Sequence, residues 1–181
     1  MIKFILEIFN QAWYQKGVDE HLNHIEKVLD YLKIIISEHQ YHKICFLGNS
    51  MGGYAAILFG TILDIDVVIA FAPQTYIDKW TRLKHIDTRW KKELREVYKF
   101  KQKQKQYFNL KDFLLKHPVK NTSINLFYSP QHRLDKSHAN ELKNIKQMHL
   151  IPIEKGGHAI VKEVRDRGQL KKLIKDAFNI P

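Results

Sequence analysis

Apolar residues recur along this chain in two rhythms: short unbroken runs, and stripes spaced three and four apart. The runs Ile2 to Ile8, Lys43 to Gly48, Val67 to Ala72, Ile124 to Tyr128 and His149 to Ile153 predict five strands, each closed by polar, glycine or proline residues. Leu22, Ile25, Val28, Leu29, Leu32, Ile35 and Ile36 form a helical stripe, with Asp19 as its expected cap. His21 and His24 fall off that stripe and read as surface residues. Further helices are expected at 52–63, 138–145 and around 170–178. Strands alternating with helices pair in parallel, because a parallel connection has to cross over the sheet. The expected fold class is therefore α/β: a mainly parallel sheet of about five strands flanked by helices, in a single domain over residues 1–181. No internal repeat or low-complexity linker interrupts it.

Residues 74–118 break the rhythm. They read as a helical, basic insertion with Trp80, Trp90, Leu94, Val97 and Phe113 as apolar anchors. Between Lys79 and Lys105 stand eleven Lys or Arg against three Asp or Glu, including Lys99, Lys101, Lys103 and Lys105 at alternate positions. Such a run forms either a solvated helix face or a cationic rim that concentrates an anionic substrate.

Composition narrows the class. Of 181 residues, 44% are hydrophobic and 12% aromatic, which excludes a disordered chain. The single cysteine, Cys45, lies within an apolar run, so no disulfide framework or cysteine-based metal site is available, and a reducing compartment is expected. The apolar run from Met1 to Phe9 is short and broken by Lys3 and Glu7, so neither a signal peptide nor a membrane span is expected there, and the expected location is cytoplasmic. The formal charge of +11 favours anionic partners. Nucleic acid is the weaker of these, since no nucleic-acid-binding motif accompanies the charge.

The chemistry centres on Gly48-Asn49-Ser50-Met51-Gly52, between an apolar run and a helical one. Glycines at 48 and 52 would let strand and helix pack closely around a sharp turn that exposes the serine hydroxyl. A serine needs a base to become nucleophilic at neutral pH. His158, in the Gly156-Gly157-His158 loop whose glycines let the backbone approach closely, is the candidate base, and Asp135 the candidate orienter of its imidazole. Ser50, Asp135 and His158 each follow a predicted parallel strand, so all three lie at one sheet edge. Asp135 also reads as a cap for a helix beginning near Ser137, while His132 and His138 flank it. The backbone N–H of Met51, at the start of the following helix, is the first oxyanion donor; no metal is expected.

These residues, GNSMGGYAA at 48–56, FAPQ at 71–74, LDKSHANEL at 134–142 and GGH at 156–158, resemble the α/β-hydrolase superfamily. More narrowly they resemble a small abridged branch associated with bacterial capsule and surface-glycan genes, which includes capsular polysaccharide O-acetyltransferases and esterase-like proteins. The resemblance implies Ser50 as nucleophile, Asp135 as acid and His158 as base, with Asn49, Pro73, Gln74 and His138 as expected substrate contacts. Longer members place several strands before the serine; here one strand and one helix precede it. The second oxyanion donor then comes from the Phe9 to Tyr14 loop, or the site is weakened. The implied activity is serine-dependent acyl-ester hydrolysis, which requires no cofactor. The alternative is O-acetyl transfer from acetyl-CoA to a capsule or surface polysaccharide. A non-catalytic domain that binds a polyanion is the remaining reading. The substrate expected is a small ester or an acylated, anionic glycan.

Overall fold

The computed structural model describes residues 12–101 and 103–178. In chain order the described elements are helix α1 (Ile25–Ser37), strand β1 (Cys45–Asn49), helix α2 (Met51–Ile62), strand β2 (Val67–Phe71), helices α3 (Lys79–Lys84), α4 (Lys91–Lys99) and α5 (Leu110–Lys116), strand β3 (Ser123–Tyr128), helix α6 (Arg133–Glu141), strand β4 (Met148–Pro152), and helices α7 (Ile160–Asp166) and α8 (Gln169–Phe178). They fall into two compact units. One comprises His42–Asp87 with Gln106–Pro181, the other Met1–Tyr41 with Thr88–Lys105. The stretch expected as one basic insertion, 74–118, is accordingly divided between them. The first expected strand, 2–8, lies outside the described residues.

The larger unit is built on a sheet of four parallel strands in the order β1-β2-β3-β4. Every residue of β2 is buried, which is why Val67-Val68-Ile69-Ala70-Phe71 is apolar throughout instead of alternating. On one face Val67, Ile69, Phe71 and Phe127 pack with Ile160 and Val164 of α7, and the rings of Phe71 and Phe127 stack 4.9 Å apart. Helix α2 is buried along most of its length. Its Gly60 lies so close to the sheet that a Cβ there would meet Val68 Cγ2 at 2.5 Å.

In the smaller unit α1 buries Ile25, Val28, Leu29 and Leu32, the stripe expected from sequence. The helix starts later than expected. Asp19 accepts hydrogen bonds from the N–H groups of His21 and Leu22 in a separate turn, and His24 provides the cap by accepting from Lys27 N–H. Helix α4 buries Leu94 and Val97, and Trp13 meets Trp90 edge to face at 6.3 Å. Buried Gln15 ties the chain down by accepting from Gln104 N–H at 2.7 Å. The alternating lysines do not share a helix face: Lys99 ends α4, Lys103 folds back to donate to the Phe100 carbonyl, and Lys105 begins a 3-10 turn. Of the expected anchors in the larger unit, Phe113 is buried in α5, whereas Trp80 on the short α3 is 82% exposed.

Candidate active site

Ser50 sits between β1 and α2 with φ 55° and ψ −114°. A non-glycine residue held there carries backbone strain of about 1–3 kcal/mol, and the surrounding hydrogen bonds are what hold it. Ser50 N–H donates to the Phe71 carbonyl at 2.8 Å, and the Ser50 carbonyl accepts from Tyr54 N–H at 3.0 Å and Gln74 N–H at 3.3 Å. The close packing the turn requires comes from glycines 48 and 53. A Cβ on Gly48 would lie 2.1 Å from the Gly52 carbonyl oxygen, and one on Gly53 would meet Pro73 Cβ at 3.0 Å. Gly52, expected to share that role, has open space where its Cβ would be.

Asp135 does not lie in a loop. Helix α6 begins at Arg133, several residues before the expected start, because His132 caps it: Asp135 N–H donates to His132 Nδ1 at 3.2 Å. Asp135 thus occupies the first turn, where the helix dipole favours a carboxylate, and is only 2% exposed.

His158 enters from the other side, on a 3-10 turn after β4 introduced by Gly156 at φ 107° and Gly157 at φ 54°. Its Nδ1–H donates to Asp135 Oδ1 at 2.8 Å, with Oδ2 at 3.0 Å. A carboxylate only accepts, so this contact puts the proton on Nδ1 and leaves Nε2 as an acceptor. Ser50 Oγ–H donates to that Nε2 at 3.2 Å. The unbroken chain Ser50–His158–Asp135 is the arrangement in which an imidazole can take the serine proton while the carboxylate stabilises the resulting charge.

The remaining predicted residues fall as follows. Met51 opens α2, so its N–H belongs to the first turn, whose amides lack partners within the helix. Asn49 is exposed at the end of β1. Pro73 and Gln74 follow β2 and are buried; the Gln74 side chain is 2% exposed as a residue, with neither Oε1 nor Nε2 hydrogen-bonded. His138, expected against the substrate, has both ring nitrogens engaged elsewhere. Its Nδ1 accepts from Thr75 N–H at 3.0 Å, its Nε2 faces Asp87 Oδ2 at 3.3 Å, and its ring stacks on Tyr76 at 3.8 Å. It therefore bolts the loop after Gln74 to α6. Residues 9–11 of the loop expected to carry the second oxyanion donor lie outside the described residues.

His132, which the sequence places beside Asp135, brings a second imidazole to its carboxylate, with Nδ1 3.0 Å from Asp135 Oδ1, a contact the sequence did not mark. Buried Asp87 holds His138, and nothing in its sequence surroundings marked it. Among the described residues, the one group of metal-ligating side chains is His132, Asp135 and His158, whose candidate atoms lie within 4.8 Å of one another.

No protein-family model matches the sequence, and no curated protein does. Solved structures do. The capsule O-acetyltransferase of Neisseria meningitidis serogroup A aligns over 91% of this chain and 68% of its own, with a TM-score of 0.58 and 22% identity. MGS-MChE2, an α/β hydrolase enzyme from the metagenome of sediments of the Mar Chica lagoon in Morocco, aligns over 92% of this chain and 75% of its own, with a TM-score of 0.56 and 15% identity.

The chain has the α/β-hydrolase fold.

The α/β class is the one expected from the alternation of strands and helices, and the hydrolase form of it is what the resemblance implied. A variant of the meningococcal enzyme, with one histidine replaced by alanine and CoA bound, aligns with a TM-score of 0.56 at 22% identity over 90% of this chain and 68% of that one. Within this α/β-hydrolase fold, Ser50, Asp135 and His158 follow β1, β3 and β4 at the carboxyl edge of the sheet. No helix among the described residues is long and apolar enough to cross a membrane.

Proposed function

We propose that this protein is a serine-dependent acyl-ester hydrolase working through an acyl-serine intermediate. The observation that carries the reading is the hydrogen-bonded chain from Ser50 Oγ through His158 to Asp135, mounted on a strained turn that keeps the hydroxyl at the sheet edge.

The reaction proceeds in two halves. Ser50 Oγ attacks the acyl carbonyl as His158 Nε2 takes its proton, and the carbonyl pair moves onto oxygen. Met51 N–H stabilises that oxyanion; one such donor is worth about 3 kcal/mol. The intermediate collapses, the bond to the leaving oxygen breaks, and His158 Nε2 returns its proton to that oxygen. Water then attacks the acyl-serine with His158 again as base, releasing the acid and restoring Ser50. Asp135 holds Nδ1–H throughout, which fixes the tautomer and offsets the imidazolium charge. Base catalysis of this kind contributes about 10²- to 10⁴-fold.

A second reading has a specific observation in its favour, the structural likeness to a capsule O-acetyltransferase and to its CoA-bound form. The same acyl-serine would form from acetyl-CoA, with the CoA thiol leaving, and a polysaccharide hydroxyl would take the place of water. An anionic glycan or the CoA phosphates suit a chain of charge +11.

Intact mass after incubation with a fluorophosphonate probe tests the common step. The expected result is one adduct on wild type and none on Ser50→Ala. Equal labelling of both would reject Ser50 as the nucleophile. Comparing p-nitrophenyl acetate with acetyl-CoA as acetyl donors then separates hydrolysis from transfer. No adduct on either protein, together with salt-sensitive polyanion binding that Ser50→Ala leaves unchanged, would favour the non-catalytic binding domain.

A further inference from the structure

Two imidazoles converge on one buried carboxylate at this site, and a triad needs only one. His158 Nδ1 and His132 Nδ1 lie 2.8 Å and 3.0 Å from the same oxygen, Asp135 Oδ1. Both histidine side chains are about one third exposed, at 35% and 34%, while that of Asp135 is 1% exposed. Nδ1 of His132 also faces a donor, the N–H of Asp135. It therefore carries a lone pair, and an unprotonated Nδ1 beside a carboxylate oxygen sets two electron-rich atoms against each other. A cation between them resolves that conflict, taking the lone pair that otherwise accepts the Asp135 N–H, so the cap bond is given up on binding.

We propose that His132, Asp135 and His158 form a zinc site that switches the triad off. Two imidazole nitrogens and one carboxylate oxygen suit zinc, leaving the fourth tetrahedral position to water. Zinc binds nitrogen and oxygen at about 2.0–2.2 Å, which sets tetrahedral ligands roughly 3.3 Å apart. The two nitrogen–oxygen contacts, at 2.8 Å and 3.0 Å, need to open by about half an ångström or less, and the two histidine nitrogens, which lie within 4.8 Å of each other, have to reach the same separation. The His158 turn has room on one side: the space where a Cβ of Gly157 would stand is empty, whereas a Cβ on Gly156 would meet Glu163 Cβ at 3.0 Å. Exposed histidine edges give the ion its entry, and the buried carboxylate gives the site its charge.

Metal binding acts on catalysis through the tautomer. When zinc takes the Nδ1 lone pair of His158, the Nδ1 proton is lost to solvent and Nε2 takes one up, so the net charge of the ring is unchanged. Nε2–H then donates towards Ser50 Oγ and cannot accept its proton. Asp135 is occupied as well. The inhibitory half of this inference rests on the triad reading above; the binding half does not.

The test is calorimetric titration of the untagged full chain with zinc chloride, beside His132→Asn and Ser50→Ala, with the esterase rate followed over the same zinc range. Asparagine keeps the helix cap but is a poor zinc ligand, so loss of binding is not loss of fold. Wild type is expected to bind one zinc, Ser50→Ala to bind equally well, and His132→Asn to bind about tenfold or more weakly. Wild-type turnover should fall with the binding midpoint and return on adding EDTA. Visible absorption of the cobalt-substituted protein should report a tetrahedral site and weaken in His132→Asn. Equal zinc affinity in wild type and His132→Asn would overturn the site. Tight binding that leaves turnover intact would overturn the switch. A metal-free protein that binds zinc as described yet shows no turnover leaves the site standing and removes the catalytic reading instead.

Discussion

Gln74 N–H donates to the Ser50 carbonyl at 3.3 Å, which ties the loop leaving β2 to the turn that presents the serine. The tie follows from register. Asn49 pairs with Phe71, so Ser50 stands beside Ala72, and both residues have positive φ, 55° and 41°. The two neighbouring strands are thus turned at the same level, and Gln74 arrives next to Ser50.

The Gln74 carboxamide is buried without a hydrogen-bond partner at either atom, which costs stability unless a substrate supplies the missing bonds. Gln74→Met, which keeps volume and removes the polar atoms, is expected to raise stability by about 1 kcal/mol in urea unfolding and to lower kcat/KM by about tenfold. A more stable variant with unchanged kcat/KM would show that Gln74 does not touch the substrate.

Glycines 48 and 52 should respond in opposite directions. Gly48→Ala drives a Cβ into the Gly52 backbone at 2.1 Å, where no side chain can move aside, and is expected to cost about 3 kcal/mol with loss of turnover. Gly52→Ala meets nothing and adds helix propensity, for a gain of about 0.5–1 kcal/mol. Thermal unfolding of the two variants reads this directly.

The contrast shows what the sequence could disclose. The strand, turn and helix around Ser50 were legible because apolar runs and glycines mark them. Which glycine is sterically obligatory was not, because that depends on where the Gly52 carbonyl and Pro73 stand in space. Asp135 was singled out by its order in the chain after Ser50, yet its placement on a helix was hidden: the cap is a histidine, outside the usual Ser, Thr, Asp and Asn set. His138 misled for a related reason. It read as a residue flanking Asp135 near the site, and only folding brings Thr75, Tyr76 and Asp87 around it. Trp80 read as an anchor because it is large and apolar, but α3 is too short to bury it.

Glu141 makes acid stability predictable. Burial alone would raise its carboxyl, but hydrogen bonds from Lys84, His85 and Lys111 outweigh this and hold it down to about 2, from an ordinary 4.5. A folded-state value below the unfolded one means the stabilisation is fully present above about pH 4.5 and is lost as pH falls towards about 2. Glu141→Gln should therefore be less stable near neutrality by about 1–2 kcal/mol, allowing for solvent screening of the exposed Lys84. Its deficit should close across that interval in urea unfolding at stepped pH. A deficit constant with pH would assign the effect to packing, not charge.

The proposed triad predicts a pattern of losses, not merely a loss. Ser50→Ala removes the attacking oxygen and His158→Ala the base, so each should abolish turnover, and the double variant should be no worse than either, because the groups act on one proton. Asp135→Asn is different. The asparagine amide can still occupy the place 2.8 Å from His158 Nδ1, but it can present its N–H there and favour the wrong tautomer. A fall of about 10⁴-fold with residual activity is expected. Here the second imidazole gives an added handle: His132 Nδ1 shares the Asp135 oxygen, so the same substitution removes the carboxylate from both rings at once. Single-turnover rates with p-nitrophenyl acetate on folded variants measure all four. Equal, undiminished rates throughout would mean that the hydrogen-bonded chain from Ser50 to Asp135 is an architectural feature without a part in the chemistry.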